Sequence, residues 1–229
     1  MINITAEIKK LSEPSYQQFN QKLIPNVAKD QILGVRLPKL RQLAKKLTRQ
    51  DPMAVEKFLD KLPHFYLEEN LLHAFLIEQI SDFATTLTLT KKFLPFINNW
   101  AVCDSFSPKI FRKYPDKIYQ EIVRWLKSDQ PYIARYGIGL LLSNYLDERF
   151  NPAMLDLVIA VHLDDYYVQM MQAWYLATAL AKQPEATLPL IARQTLPHFI
   201  QNKTIQKAIE SRRIDPATKL KLRQFKVAK

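Results

Sequence analysis

The sequence predicts an all-α fold of the HEAT-like helical-repeat kind, an α-α superhelix with a basic concave face. Three observations carry that expectation: apolar residues recur at helical spacing along the chain, glycine is nearly absent, and prolines fall where helices begin.

The spacing is clearest in Leu40, Leu43, Ala44 and Leu47, at i, i+3, i+4 and i+7, with Arg41, Lys45, Lys46 and Arg49 between them. That is a basic amphipathic helix. Similar patterns run through residues 55–62, 71–80, 93–97, 118–126, 132–146, 154–161, 166–180, 188–199 and 204–209. The nearest thing to strand alternation is 85–90, and Ser81-Asp82 ahead of it suits a helix cap better. About a dozen helices joined by turns of roughly two to eight residues are expected.

Only Gly34, Gly137 and Gly139 are available for turns or phosphate loops. A β-rich protein or a dinucleotide-binding fold uses more. Prolines are plentiful, and Glu13-Pro14, Leu37-Pro38, Asp51-Pro52, Asn151-Pro152 and Asp215-Pro216 read as helix starts. The first helical amide has no intrahelical acceptor, so proline loses nothing there.

Asp51-Pro52, Tyr114-Pro115, Gln130-Pro131, Asn151-Pro152 and Gln183-Pro184 punctuate the middle of the chain. Some of these spacings approach one helix pair of a HEAT-type repeat, ~40 residues. No fixed signature recurs and no linker interrupts the pattern, so residues 1–229 are read as a single repeat domain. A compact helical bundle has the same periodicity and stays open as an alternative.

With 48% hydrophobic residues the chain can bury a sizeable core, which excludes intrinsic disorder. Cys103 is the only cysteine, so no intrachain disulfide can form and a reducing compartment is expected. The N-terminus lacks signal-peptide regions and no apolar run reaches the roughly 18 residues that span a bilayer. A cytoplasmic, membrane-free monomer is the expectation.

The net charge of +11 points to a polyanionic partner. The cations are clustered. Residues 36–50 carry Arg36, Lys39, Arg41, Lys45, Lys46 and Arg49 and no acid. A second group is Lys109, Arg112, Lys113 and Lys117. The C-terminal segment carries Lys203, Lys207, Arg212, Arg213, Lys219, Lys221, Arg223, Lys226 and Lys229 against Glu210 and Asp215. Each cluster alone is equally an ordinary solvated helix face. All three together, converging on one face of a curved solenoid, fit phosphate binding.

Several chemistries are excluded. Glycine is too scarce for a P-loop or dinucleotide fingerprint. His64, His73, His162 and His198 are isolated and Cys103 has no ligand partners, so neither a metal nor a cofactor is expected. More informative is Asn98-Asn99-Trp100-Ala101-Val102-Cys103-Asp104. The asparagines cap a helix on which Trp100 and Asp104, at i and i+4, share a face. An ordinary first-turn acid and a core tryptophan would read the same way. Arg135 sits early in the apolar stretch Tyr132-Ile133-Ala134-Arg135-Tyr136-Gly137 and calls for a carboxylate or phosphate partner. Trp174 falls mid-helix in Gln172-Ala173-Trp174-Tyr175-Leu176.

In these elements the chain resembles the bacterial HEAT-like-repeat DNA alkylation repair glycosylases, the AlkD-like alkylpurine DNA glycosylases. The resemblance spans essentially the whole chain. It rests on Gly34-Val35-Arg36-Leu37-Pro38 leading into a basic helix, Asn99-Trp100-x-x-x-Asp104, Arg135, Ala173-Trp174 and Ile205-Gln206-Lys207-Ala208-Ile209-Glu210-Ser211. It implies an all-α solenoid that excises cationic N3- and N7-alkylpurines from duplex DNA, working from the backbone side without a base pocket. It makes Asp104 the catalytic carboxylate, Trp100 and Trp174 the cleft tryptophans, and Arg135 the backbone-gripping arginine. Arg36, Lys39, Arg41, Lys45, Lys109, Arg112, Lys113, Lys203, Lys207, Arg212 and Arg213 are the candidate DNA-binding residues. Gly137 and Gly139 are a local oddity in the arginine helix, explicable by close helix packing.

The residue types suit that chemistry. Cleaving an N-glycosidic bond builds positive charge on the sugar, which a carboxylate stabilises. Tryptophan faces attract cations, and arginine grips phosphate through two parallel hydrogen bonds. Two other readings use parts of the same evidence. A non-catalytic repeat protein binding bent or branched DNA needs the cations but not Asp104; a protein-interaction scaffold needs neither.

Overall fold

The computed structural model describes residues 1–228; Lys229, counted in the C-terminal basic group, lies outside the described residues. Among the described residues there is no strand, and fourteen α-helices and three short 3-10 turns follow in chain order. The all-α helical-repeat class is the one expected. The chain forms two compact units, Met1–Asp116 and the remainder from Lys117 onward.

The first unit contains α1 (Ile4–Lys9), α2 (Pro14–Leu23), α3 (Leu37–Gln50), α4 (Pro52–Asp60), α5 (Leu67–Ile77), α6 (Phe83–Phe93) and α7 (Trp100–Ser105). Helix α5 is its hub, packing against α1, α3, α4, α6 and α7. Every residue of α5 is buried, four polar ones included, because the helix is surrounded on all sides. Buried polar groups need partners, and most of these have them. Glu68 accepts backbone N–H bonds from Leu33 at 2.9 Å, Gly34 at 2.7 Å and Val35 at 3.2 Å. Burial still pushes the Glu68 carboxyl up, outweighing those three donors. Glu69 closes a capping box by accepting from the Tyr66 amide at 3.0 Å.

His73 of α5 meets His64 at 2.9 Å, Nδ1 to Nε2. The His64 ring stacks on Phe58 and the His73 ring on Phe93, with centroids 4.3 and 4.2 Å apart. Gly34 sits in the loop that Glu68 holds, with φ +82°, where an L side chain is strained. A Cβ there would lie 2.5 Å from the Gln17 amide nitrogen and 2.7 Å from the Glu13 carbonyl oxygen, so only glycine lets α2 pass.

The second unit is built from α8 (Pro115–Trp125), α9 (Pro131–Asn144), α10 (Ala153–Ile159), α11 (Tyr166–Lys182), α12 (Pro184–Ala192), α13 (His198–Glu210) and α14 (Pro216–Arg223). Its hub is α11, packed against α9, α10, α12 and α13. Ala177, Leu180, Ile191, Ile205, Ala208, Ile214 and Leu222 form one apolar cluster. A polar device recurs here. Buried Gln172 donates to the Val158 and Val161 carbonyls at 2.7 and 3.0 Å, closing the end of α10. Buried Gln201 donates to those of Ile191 and Phe225, both at 2.9 Å, closing α12 and fixing the chain beyond α14. These side-chain amides thus add a donor at the ends of α10 and α12, beside the backbone bonds from Val161 to Val158 at 3.4 Å and from Gln194 to Ile191 at 3.2 Å.

Most helix starts fall as the prolines predict: α2, α4, α8, α9, α12 and α14 begin at one, and Pro38 is the second residue of α3. Pro152 sits at the N-cap of α10 instead. Residues 85–90 are helical, capped by Asp82 through the Thr85 amide at 2.7 Å. The periodic run 188–199 is not one helix. It breaks after α12, where Gln194 takes φ 56° and Pro197 resets the chain before α13. Of the two glycines in α9, Gly137 is the packing residue: a Cβ would come within 3.3 Å of Leu126 and 3.4 Å of Trp125. Gly139 meets only the flexible end of Met171 at 3.7 Å, an ordinary contact.

Candidate functional site

Trp100 and Asp104 lie on α7, a helix of six residues, too short to hold itself together in water. The surroundings hold it instead. At its start Asn99, the N-cap, accepts from the Val102 amide at 3.0 Å. Asn26 donates to the Asn98 carbonyl at 2.6 Å, and the Trp100 indole N–H donates to the Leu23 carbonyl at 3.1 Å. At its end the Arg41 guanidinium donates to the Ser105 carbonyl at 3.0 Å, while the Ser107 amide donates to Glu78 at 2.8 Å. Arg41 and Glu78 are themselves ion-paired, and Arg41 lies over the Phe75 ring, 3.9 Å from its centroid. Burial pushes the Glu78 carboxyl up, against the pull of Ser107 and Arg41. On this fixed platform Trp100 is half-buried and Asp104 exposed, one turn apart.

Arg135 and Trp174 lie on α9 and α11, neighbouring helices of the second unit. Arg135 is only 6% exposed, and its Nη1 donates to the Tyr167 carbonyl at the start of α11. One partner of Arg135 is thus a backbone oxygen at the start of α11. Trp174 is 44% exposed although its helix is the hub of the unit. It borders an open cleft of about 470 Å³, also lined by Thr178, Lys207, Glu210, Ser211 and Arg213. Thr178 follows Trp174 by one turn of α11, and Glu210 and Ser211 follow Lys207 by one turn of α13. In the sequence Glu210 stood out as one of two acids in the C-terminal basic segment, and Ser211 only as part of the stretch quoted for the resemblance. Their i+3 and i+4 spacing from Lys207 was the available signal.

The candidate DNA-binding residues divide by partner. Arg36 and Lys39 both pair with Glu13, at 2.9 and 2.8 Å, and hydrogen bonds from these cations hold the Glu13 carboxyl below its usual range. Arg41 is engaged as described, and Lys46 approaches Glu7 at 3.7 Å. Residues 36–50 contain no acid, but Glu7 of α1, Glu13 at the N-cap of α2 and Glu78 at the C-cap of α5 pair with its cations, so this cluster is less positive than its sequence. Lys109, Arg112 and Lys113 occupy an exposed 3-10 turn, and Lys109 adds to the field at Glu78. Lys203 donates to Gln206, which donates to Glu210, both at 2.9 Å. The side chains of Lys45, Lys113, Lys207, Arg212 and Arg213 have no ion-pair or hydrogen-bond partner among the described residues.

Among the described residues no group of three or more His, Cys, Asp or Glu side chains could hold a metal ion. None of the described helices is long and apolar enough to cross a membrane. An exposed carboxylate beside an aromatic face, with unpartnered cations elsewhere on the surface, can stabilise a developing cation and bind phosphates. No curated protein sequence matches the chain significantly. The profile of the family described as DNA alkylation repair enzyme matches residues 4–209, and the chain belongs to that family.

Proposed function

We propose that the chain is a DNA glycosylase that removes cationic N3- and N7-alkylpurines from double-stranded DNA. The observation that carries this reading is the exposed Asp104, one turn after Trp100 on a helix pinned at both ends. Membership of the family described as DNA alkylation repair enzyme supports alkylated DNA as the substrate class.

In the proposed reaction the N-glycosidic bond breaks with its electron pair passing to the purine. The purine is already cationic and so departs neutral. No acid has to protonate it, which removes the need for the second carboxylate of ordinary glycosidases. Positive charge develops on the deoxyribose, and Asp104 stabilises it and orients the water that adds to the anomeric carbon, taking up that water's proton. Trp100 and Trp174 present aromatic faces to the sugar and its charge. Arg135 is assigned the phosphate flanking the lesion, and the exposed lysines and arginines the remaining backbone. The reading includes a cytoplasmic monomer that needs no metal or cofactor.

The test is release of 7-methylguanine from methylated duplex DNA. Wild type should release it, and Asp104→Asn should be slower by about 10²–10³-fold, the cost of losing one electrostatic stabiliser. DNA affinity should fall about 10³-fold between 50 and 200 mM salt for about six phosphate contacts. Wild-type protein that binds DNA tightly but releases nothing would overturn the glycosylase reading in favour of a non-catalytic DNA-binding repeat protein, for which the unpartnered cations suffice. Affinity indifferent to salt would remove phosphate binding from both readings.

A further inference from the structure

The basic helix α3 begins beside a carboxylate that its own segment does not supply. Residues 36–50 hold no acid, and α3 opens with no side-chain cap. Glu13, at the start of α2, fills the place. Its Oε2 accepts from Arg36 Nε at 2.9 Å and its Oε1 from Lys39 Nζ at 2.8 Å, so its two oxygens join the N-cap side chain of α3 to one in the first turn. The position is built into the fold. The Glu13 amide donates to the Gly34 carbonyl at 2.9 Å, the Gln17 side chain donates to the Ile32 carbonyl at 2.6 Å, and the missing Cβ of Gly34 lets α2 come this close. Arg36 also lies over the Tyr16 ring, 4.7 Å from its centroid.

Two cations placed on two oxygens of one anion are a phosphate-binding arrangement. The start of a helix favours an anion as well. Both cations stay open to a second ligand. Their side chains are 54% and 45% exposed, and Glu13 uses one of the five arginine N–H donors and one of the three on lysine. Glu13 itself is 28% exposed, and its backbone bonds do not depend on where its carboxylate points. The other acids near α3 lack this geometry. Glu7 reaches Lys46 only at 3.7 Å, and Glu78 is held by the Ser107 amide as well as by Arg41.

We propose that Glu13 is a phosphate stand-in: it occupies a seat for one DNA phosphate between Arg36 and Lys39, and duplex DNA binds there by exchanging the carboxylate for the phosphate. In the free protein Glu13 keeps both cations aimed at one point. On binding it subtracts one charge from the seat, so α3 holds undamaged duplex less tightly than its row of cations would. The inference rests on the reading of the chain as a DNA-acting protein and deepens it by adding an acid to the residues that set its affinity.

The test is binding of a fluorescein-labelled, undamaged duplex followed by anisotropy, which needs no glycosylase activity. Glu13→Gln keeps the size of the side chain and the backbone bonds, and exposed ion pairs contribute little to stability, so its urea midpoint should match that of wild type. It should bind the duplex about fivefold more tightly at 50 mM salt and less than about twofold more tightly at 200 mM. The freed charge adds nearly one phosphate contact, about 0.9 in the slope of log K against log[salt]. Asp60→Asn frees Lys92 with the same change in net charge and should move affinity by less than about twofold. Lys39→Ala should cost about threefold more in the Glu13→Gln background than in wild type, since only in wild type does Lys39 give up a bond on binding.

Unchanged or weaker binding by Glu13→Gln would overturn the exchange. So would an equal cost of Lys39→Ala in both backgrounds, which would make Glu13 a fixed background charge. An equal gain in Asp60→Asn would trace the effect to net charge and overturn it too. Release of 7-methylguanine by wild type, with no tighter binding by Glu13→Gln, would sink this inference alone. Tighter binding by Glu13→Gln without release by wild type would leave it standing and sink the glycosylase reading.

Discussion

Acidification should destabilise the first unit through His64 and His73. Burial is the main cause that holds His64 down at about 4 and His73 at about 3, far below the ordinary value near 6.5. Glu69 opposes the shift at His64, while Lys61 reinforces it there and Lys92, itself paired with Asp60 at 2.8 Å, reinforces it at His73. Both rings are therefore neutral in the folded protein at neutral pH and share one hydrogen bond. A folded pKa below the unfolded one means that the unfolded chain takes up protons first, so stability is full above about pH 6.5 and falls as pH drops. Between pH 7 and 5 each unfolded histidine gains most of a proton. For His73 this costs about 2 kcal/mol; His64, part-exposed and screened, contributes about half of that. A loss of about 3 kcal/mol is a large part of a typical stability of about 5–15 kcal/mol. Glu68 and Glu78, whose carboxyls are pushed up, act in the opposite sense, gaining stability as they protonate, but they do so equally in any histidine variant. The assay is the urea midpoint from pH 5 to 8 for wild type and for His64→Leu/His73→Leu. The wild type should lose about 3 kcal/mol more than the double variant over this range. Equal pH slopes in the two proteins would refute the reasoning.

Gly34→Ala should cost about 3 kcal/mol in urea unfolding. The left-handed backbone accounts for about 1–2 kcal/mol and the contact with the Gln17 and Glu13 backbone for the rest; a cost below about 1 kcal/mol would show that α2 yields easily. Arg41→Ala should cost about 2 kcal/mol, a part-exposed version of a broken buried ion pair, because Glu78 loses its cation. It should also slow 7-methylguanine release more than that stability loss explains, since α7 loses its anchor at Ser105. Measured where the variant is fully folded, unchanged release would remove Arg41 from the positioning of α7.

Much of the fold was legible in the sequence because its determinants are local. The 3.6-residue period, the opening prolines and the Asn99 cap all act within one or two helical turns, so they can be read without knowing what lies nearby. The errors have physical causes too. In residues 188–199 apolar spacing continued through a break made by Gln194 and Pro197, because periodicity records which residues are buried and not whether the backbone is continuous. The basic cluster at 36–50 read as more positive than it is. The compensating acids, Glu7, Glu13 and Glu78, lie between 23 and 39 residues from their lysine and arginine partners or on other helices, beyond any local window. The cap, tryptophan and carboxylate of α7 were legible as residue types. Its clamp by Arg41 and Glu78 was not, since nothing in sequence links residue 41 to residue 105.

The glutamines that close α10 and α12 have a consequence for how the second unit opens. Each spends both amide hydrogens on carbonyls of elements outside its own helix, while its own side-chain oxygen is buried without a partner. The arrangement is not tuned for maximal bonding; its effect is to tie neighbours together. If α13 lifted away, the Ile191 carbonyl would keep only its backbone donor, the Gln194 amide at 3.2 Å, and the Phe225 carbonyl would lose its Gln201 donor at the same moment. Partial opening of one helix is thereby coupled to loosening of the turn before it and the segment after it. The second unit therefore breathes in blocks larger than a single helix, and its repeats, though degenerate in sequence, are mechanically linked.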